Sequence, residues 1–73
     1  MKTREEEINE IVNALEGFPV KTIKALIRST RADKGRRAAF ELTAAWRVLD
    51  TLVTEAEAEA FLEELEAESR KAA

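Results

Sequence analysis

Residues 36–53 read RRAAFELTAAWRVLDTLV, and the fold turns on them. At 100° per residue, Ala38, Ala39, Phe40, Leu42, Ala44, Ala45, Trp46, Val48, Leu49, Leu52 and Val53 cover well over half of a helix's circumference. One neighbouring helix needs a narrower stripe than that. The segment therefore predicts the central helix of a bundle, or a helix that keeps one apolar face for a partner chain.

The flanking segments supply the neighbours. On the N-terminal side, Thr3-Arg4-Glu5-Glu6 has the pattern of a capping box, and Ile8, Ile11, Val12 and Leu15 follow at i, i+3, i+4, i+7. A helix over 4–16 is expected, ending at Gly17 in a Schellman motif with Phe18 folded back on Val12. Pro19 suits the first turn of a second helix over 19–30, with Val20, Ile23, Leu26, Ile27 and Thr30 inside. A turn is expected around Thr30–Gly35, with Thr30 and Asp33 together, or Asp33 alone, as the cap of a third helix, and the central helix then spans 35–53.

Thr54-Glu55-Ala56-Glu57 is a second capping box, so the helical pattern breaks at Val53 and restarts over 55–71. Its thin inner stripe is Ala58, Phe61, Leu62, Leu65 and Ser69, and fraying is expected over 70–73. The Glu-Ala alternation of residues 55–60 has a strand's period. Alanine and glutamate, however, are poor strand residues and good helix formers. The expected fold is all-α: a single domain over 1–73 built as an orthogonal or partly open bundle of about four short helices, and self-associating.

Size supports self-association. A 73-residue chain buries only about 60% of the surface its unfolded form exposes, and with neither cysteine nor histidine it has no disulfide or structural zinc to reinforce a small core. Phe40 projects beside Ala44 and Val48, away from Leu42, Leu49 and Val53. If the latter stripe faces the protomer's own core, Phe40, Ala44 and Val48 form a second apolar face suited to homodimerisation. The lack of cysteine fits a reducing compartment, and Met1–Glu7 contains no apolar run of the secretory type, so a cytoplasmic protein without a membrane span is expected.

The same composition removes most catalytic chemistry. Histidine, cysteine and tyrosine are all absent, which excludes the commonest general base, the thiolate nucleophile and the usual transition-metal ligands. Two glycines, Gly17 and Gly35, cannot form a phosphate loop or a dinucleotide fingerprint. Glu59, Glu63 and Glu66 share a helix face, but there is no Asp-rich loop with a glycine turn of the calcium-binding kind. No enzyme activity, cofactor or metal is expected.

Charge provides the positive functional signal. Net charge is −3, yet residues 18–53 carry eight bases against three acids, while residues 54–73 carry two against seven. Lys21, Lys24, Arg28 and Arg31 stack along one face of the second helix, and Lys34, Arg36 and Arg37 follow. Such a stripe fits an acidic macromolecule. The expectation is a small regulatory or inhibitory binding protein with an acidic partner, most simply another protein.

A DNA- or RNA-binding regulator is the alternative, with the same bases on the phosphate backbone. Against it, a helix-turn-helix over residues 20–45 lacks its turn glycine, and no aromatic residue interleaves with the bases. A structural subunit of a larger complex is a second alternative. A simpler reading competes with all three: the bases pair internally with the acidic first and last helices, and the last helix masks the stripe.

Overall fold

A computed structural model describes residues 2–72, with Ala72 described for its backbone only. The chain forms four helices, α1 (Arg4–Leu15), α2 (Val20–Ala32), α3 (Arg36–Leu52) and α4 (Glu55–Ala72), so the all-α bundle expected from the sequence is the fold. Each boundary falls within two residues of its expected place. α4 remains helical through Arg70 and Lys71, whose charges suit the negative end of the helix dipole. The helix assignment includes Ala72, and Ala73 lies outside the described residues.

Local chemistry sets these ends. The Thr3 hydroxyl accepts from the Glu6 N–H at 3.2 Å, and the Thr54 hydroxyl accepts from the Glu57 N–H at 3.2 Å while donating to the Glu57 carboxylate at 3.1 Å. α2 starts on the Pro19 carbonyl, which accepts from Thr22 and Ile23. Thr30 caps nothing. Its hydroxyl is buried inside α2 and donates back to the Leu26 carbonyl at 2.8 Å, so α2 runs on to Ala32. Asp33 shapes the next turn by accepting from the Gly35 N–H at 2.8 Å.

The end of α1 departs from the expected Schellman motif. Glu16 is extended at φ −60° and ψ 135°, Gly17 has φ +91°, and the Phe18 N–H donates to the Leu15 carbonyl at 3.2 Å. Those values define a type II turn over Leu15–Phe18, with glycine at the position that requires positive φ. Phe18 consequently remains 46% exposed, over a depression lined by Ile11, Ala14, Leu15 and Leu26.

α3 is the central element, packed heavily against α1 and α2 and lightly against α4. Ile8, Ile11 and Leu15 of α1 and Ile23 and Ile27 of α2 meet Phe40, Ala44, Ala45, Val48 and Leu49 of α3 in one core. Ala44 and Ala45 are fully buried, and their small side chains let the neighbouring backbones approach closely. The molecule measures 40 × 27 × 17 Å, and its thinnest dimension is less than two helix diameters of about 10 Å each. Much of every outer helix is left in solvent as a result. Among the described residues α4 contributes two buried side chains, Phe61 and Leu65, each stabilising by about 1.5–3 kcal/mol. Leu62 and Ser69, expected on its inner stripe, are exposed.

The expected self-association face is not a surface. Phe40 is 8% exposed, Val48 5% and Ala44 0%, whereas Leu42 and Val53, assigned to the inner stripe, are only half-buried. α3 uses both of its apolar sides inside the protomer, because it has a helix to hold on each. Arg47, next to Phe40 and Ala44 on the helix wheel, pairs with Glu5 and so places α1 along this side.

Candidate partner-binding surface

The seven bases singled out in the sequence divide into two groups. The middle of the stripe is occupied by α4. Phe61 inserts its ring beneath α2, with Lys24 Nζ and the Arg28 guanidinium carbon each 5.1 Å from the ring centroid, inside the range of cation–π attraction. Arg28 also donates to both carboxylate oxygens of Glu68, at 3.4 and 3.2 Å, and lies 3.7 Å from Glu64. Phe61, Glu64 and Glu68 are spaced i, i+3, i+7, so one flank of α4 delivers an aromatic anchor and two carboxylates to one side of α2.

Four of the remaining five bases stay open. Lys21, Arg31 and Lys34 are exposed, and Arg36 is exposed with its guanidinium 5.4 Å from the Phe40 ring centroid. Among the described residues none of these four has a carboxylate within 4.0 Å. Arg37 pairs with Glu41 one turn along, at 3.4 Å. Arg31, Lys34 and Arg36 thus make a basic corner along the chain where α2 turns into α3, Arg31 on the side of Glu68 and Arg36 on the side of Glu7. Asp33, the acid within the turn itself, is engaged with the Gly35 N–H.

Of the expected pairing of the stripe with both acidic helices, the α4 half occurs, at Arg28, while α1 is met by Arg47 of α3, which lies outside the stripe. The second pair perturbs ionisation. Hydrogen bonds from Arg47 hold the Glu5 carboxyl below its ordinary range, the charges of Arg47 and Arg4 act in the same direction, and Arg47 is raised in return. Sequence reasoning did not assign Phe61 as the anchor beneath the basic stripe. The available signal was its i+3 and i+7 spacing to two glutamates on the most acidic helix.

Among the described residues no three acids converge closely enough to hold a metal ion, and no helix is long and apolar enough to cross a membrane. Compared with protein-family models, curated proteins and solved structures, the chain has no significant match in any of the three.

Proposed function

We propose that this protein is a non-enzymatic binding module with a regulatory or inhibitory role, engaging an acidic segment of a protein partner through the basic corner of Arg31, Lys34 and Arg36. One observation carries this reading: these bases remain unneutralised while Arg28, Arg37 and Arg47 are paired internally. Unpaired, clustered cations on a chain of net charge −3 create a local field opposite to the global one, and such a field steers and orients an acidic partner.

A protein partner is favoured over nucleic acid by the footprint. A phosphate backbone repeats its charge every few ångströms and rewards a long basic track. Here the track is interrupted at Arg28, which faces Glu64 and Glu68, and the acids of α4 border it. What remains open is Lys21, isolated at the start of α2, and the corner, which suits a few carboxylates. The apolar stripe of Phe40, Ala44 and Val48 has no part in this proposal, since it is core.

The test is fluorescence anisotropy with a labelled Glu/Asp-rich peptide and with labelled duplex and single-stranded oligonucleotides, each at two salt concentrations. Peptide binding that is lost in the combined Arg31→Ala, Lys34→Ala, Arg36→Ala variant supports the reading. Oligonucleotide binding that is tighter and falls steeply with salt would replace it with the nucleic-acid regulator. Silence from every probe at low salt would remove the basic corner as a binding site.

A further inference from the structure

α4 has a second flank. Glu57, Glu64 and Glu68 lie on the side that meets α2, whereas Glu55, Glu59 and Leu62 lie on the opposite side of the buried Phe61 and Leu65. That opposite side diverges from the last turns of α3 and leaves a shallow groove of about 430 Å³, closed at one end by the Val53–Thr54 turn. Its apolar surface comes from Trp46, Val53, Ala58 and Leu62, and Leu62 is 44% exposed. Its rim comes from Asp50 of α3 and Glu55 and Glu59 of α4.

These three carboxylates differ from those on the other flank. Glu64 and Glu68 meet Arg28, but among the described residues Asp50, Glu55 and Glu59 have no base within 4.0 Å. The groove therefore combines exposed apolar area with an uncompensated negative rim drawn from both walls. Whatever covers the apolar surface must bring cations to the rim.

We propose that the groove between α3 and α4 docks a cationic amphipathic helix from a protein partner, with apolar side chains against Trp46 and Leu62 and Lys or Arg against Asp50, Glu55 and Glu59. A helix matches the site because apolar side chains at i, i+3, i+4, i+7 fill a trough while the intervening positions reach both rims. The volume accommodates a few side chains, so a short segment fits better than a second copy of the whole chain. The site is on the far flank of α4 from the basic corner and does not rest on it. The molecule then presents two surfaces of opposite charge, one for an acidic partner and one for a basic one.

Trp46 is the only tryptophan and lines the groove, so the full chain reports its own occupancy. The probes are two synthetic peptides of about 14 residues, four helical turns, sharing one Leu pattern and carrying Lys or Glu at every other position. The Lys peptide is expected to shift Trp46 emission saturably to shorter wavelength, and the Glu peptide is not. Leu62→Lys, and Glu55→Lys combined with Glu59→Lys, should each weaken binding by about tenfold or more, whereas Arg31→Ala with Lys34→Ala should not weaken it. All the altered side chains are exposed, and circular dichroism is the check that each variant folds.

An equal response to both peptides, no response to either, or undiminished binding in the groove variants would overturn the proposal. So would a light-scattering mass of two chains that Leu62→Lys reduces to one, since the groove would then belong to a second copy. Loss of acidic-peptide binding at the basic corner is a separate result and leaves this one standing.

Discussion

Arg47 and Glu5, 42 residues apart, meet in a two-pronged pair: Nη2 donates to Oε1 at 2.9 Å and Nη1 to Oε2 at 3.2 Å, fastening the first turn of α1 to the outer edge of α3. Both groups are in solvent, so salt screens the pair and its contribution is small. Its value is geometric: two parallel hydrogen bonds fix the direction in which α1 leaves its cap.

The pair gives stability a pH dependence of known sign. Glu5 has its pKa lowered by the Arg47 hydrogen bonds and charge, so the folded state holds its carboxylate more firmly than the unfolded chain does. The contribution is complete above the ordinary value of 4.5 and disappears as pH falls through the lower folded value. Thermal unfolding of wild type and Glu5→Gln should differ near neutrality, in favour of wild type, and converge in acid. A difference that persists unchanged into strong acid would show that Glu5 acts through packing and not through its charge.

Phe61 decides whether α4 stays docked. Its ring is 5.7 Å from that of Trp46, centroid to centroid, and lies under Lys24 and Arg28, while α3 gives α4 little other contact. Phe61→Ala should cost about 3–5 kcal/mol, concentrated in α4. Amide hydrogen exchange is the direct check: protection should fall along α4 well before it falls in α3, and Trp46 emission should move to longer wavelength. Uniform loss of protection across all four helices would mean that α4 and the rest unfold as one unit.

Burial of Phe40 separates a core role from an interface role. As a core residue 8% exposed, it should cost about 3–5 kcal/mol on truncation to alanine, a large part of the stability of a domain this small. Phe40→Leu should retain the fold at a smaller cost. The unfolding midpoint of either variant should not depend on protein concentration. A midpoint that rises with concentration in wild type and loses that dependence in Phe40→Leu would restore Phe40 to an interface between copies.

What the sequence could and could not reveal follows from the range of each interaction. Threonine caps, the Gly17 stop and the 3.6-residue stripes act within a turn or two, and they located every helix to within two residues. The central position of α3 was readable from the width of its apolar arc. Which side of that arc met which neighbour was not, because Phe40, Ala44 and Val48 are as apolar as Leu42, Leu49 and Val53, and the choice is made by helices elsewhere in the chain. Arg28 poses the same difficulty, since its partner Glu68 is 40 residues away and reaches it only once Phe61 has anchored α4. The open bases at the α2–α3 corner were readable as basic, but their freedom depended on where the acids went.

The ending of α1 offers the sharpest local test. A Schellman motif and a type II turn both place glycine at positive φ, and they differ in the ψ of the residue before it, which residue type barely constrains. At Gly17 the φ of +91° is combined with open space, since an added Cβ would have no heavy atom within 4 Å. Gly17→Ala therefore meets no clash. Its cost is the conformational preference of an L-residue, offset in part by a less flexible unfolded chain, for a net loss of about 1 kcal/mol. A chain of 73 residues is within reach of chemical synthesis, so D-alanine can be placed at the same position. A D-residue prefers positive φ, so it should match or exceed the wild-type unfolding midpoint. If D-alanine destabilises as much as L-alanine, backbone handedness is not what glycine supplies at this turn.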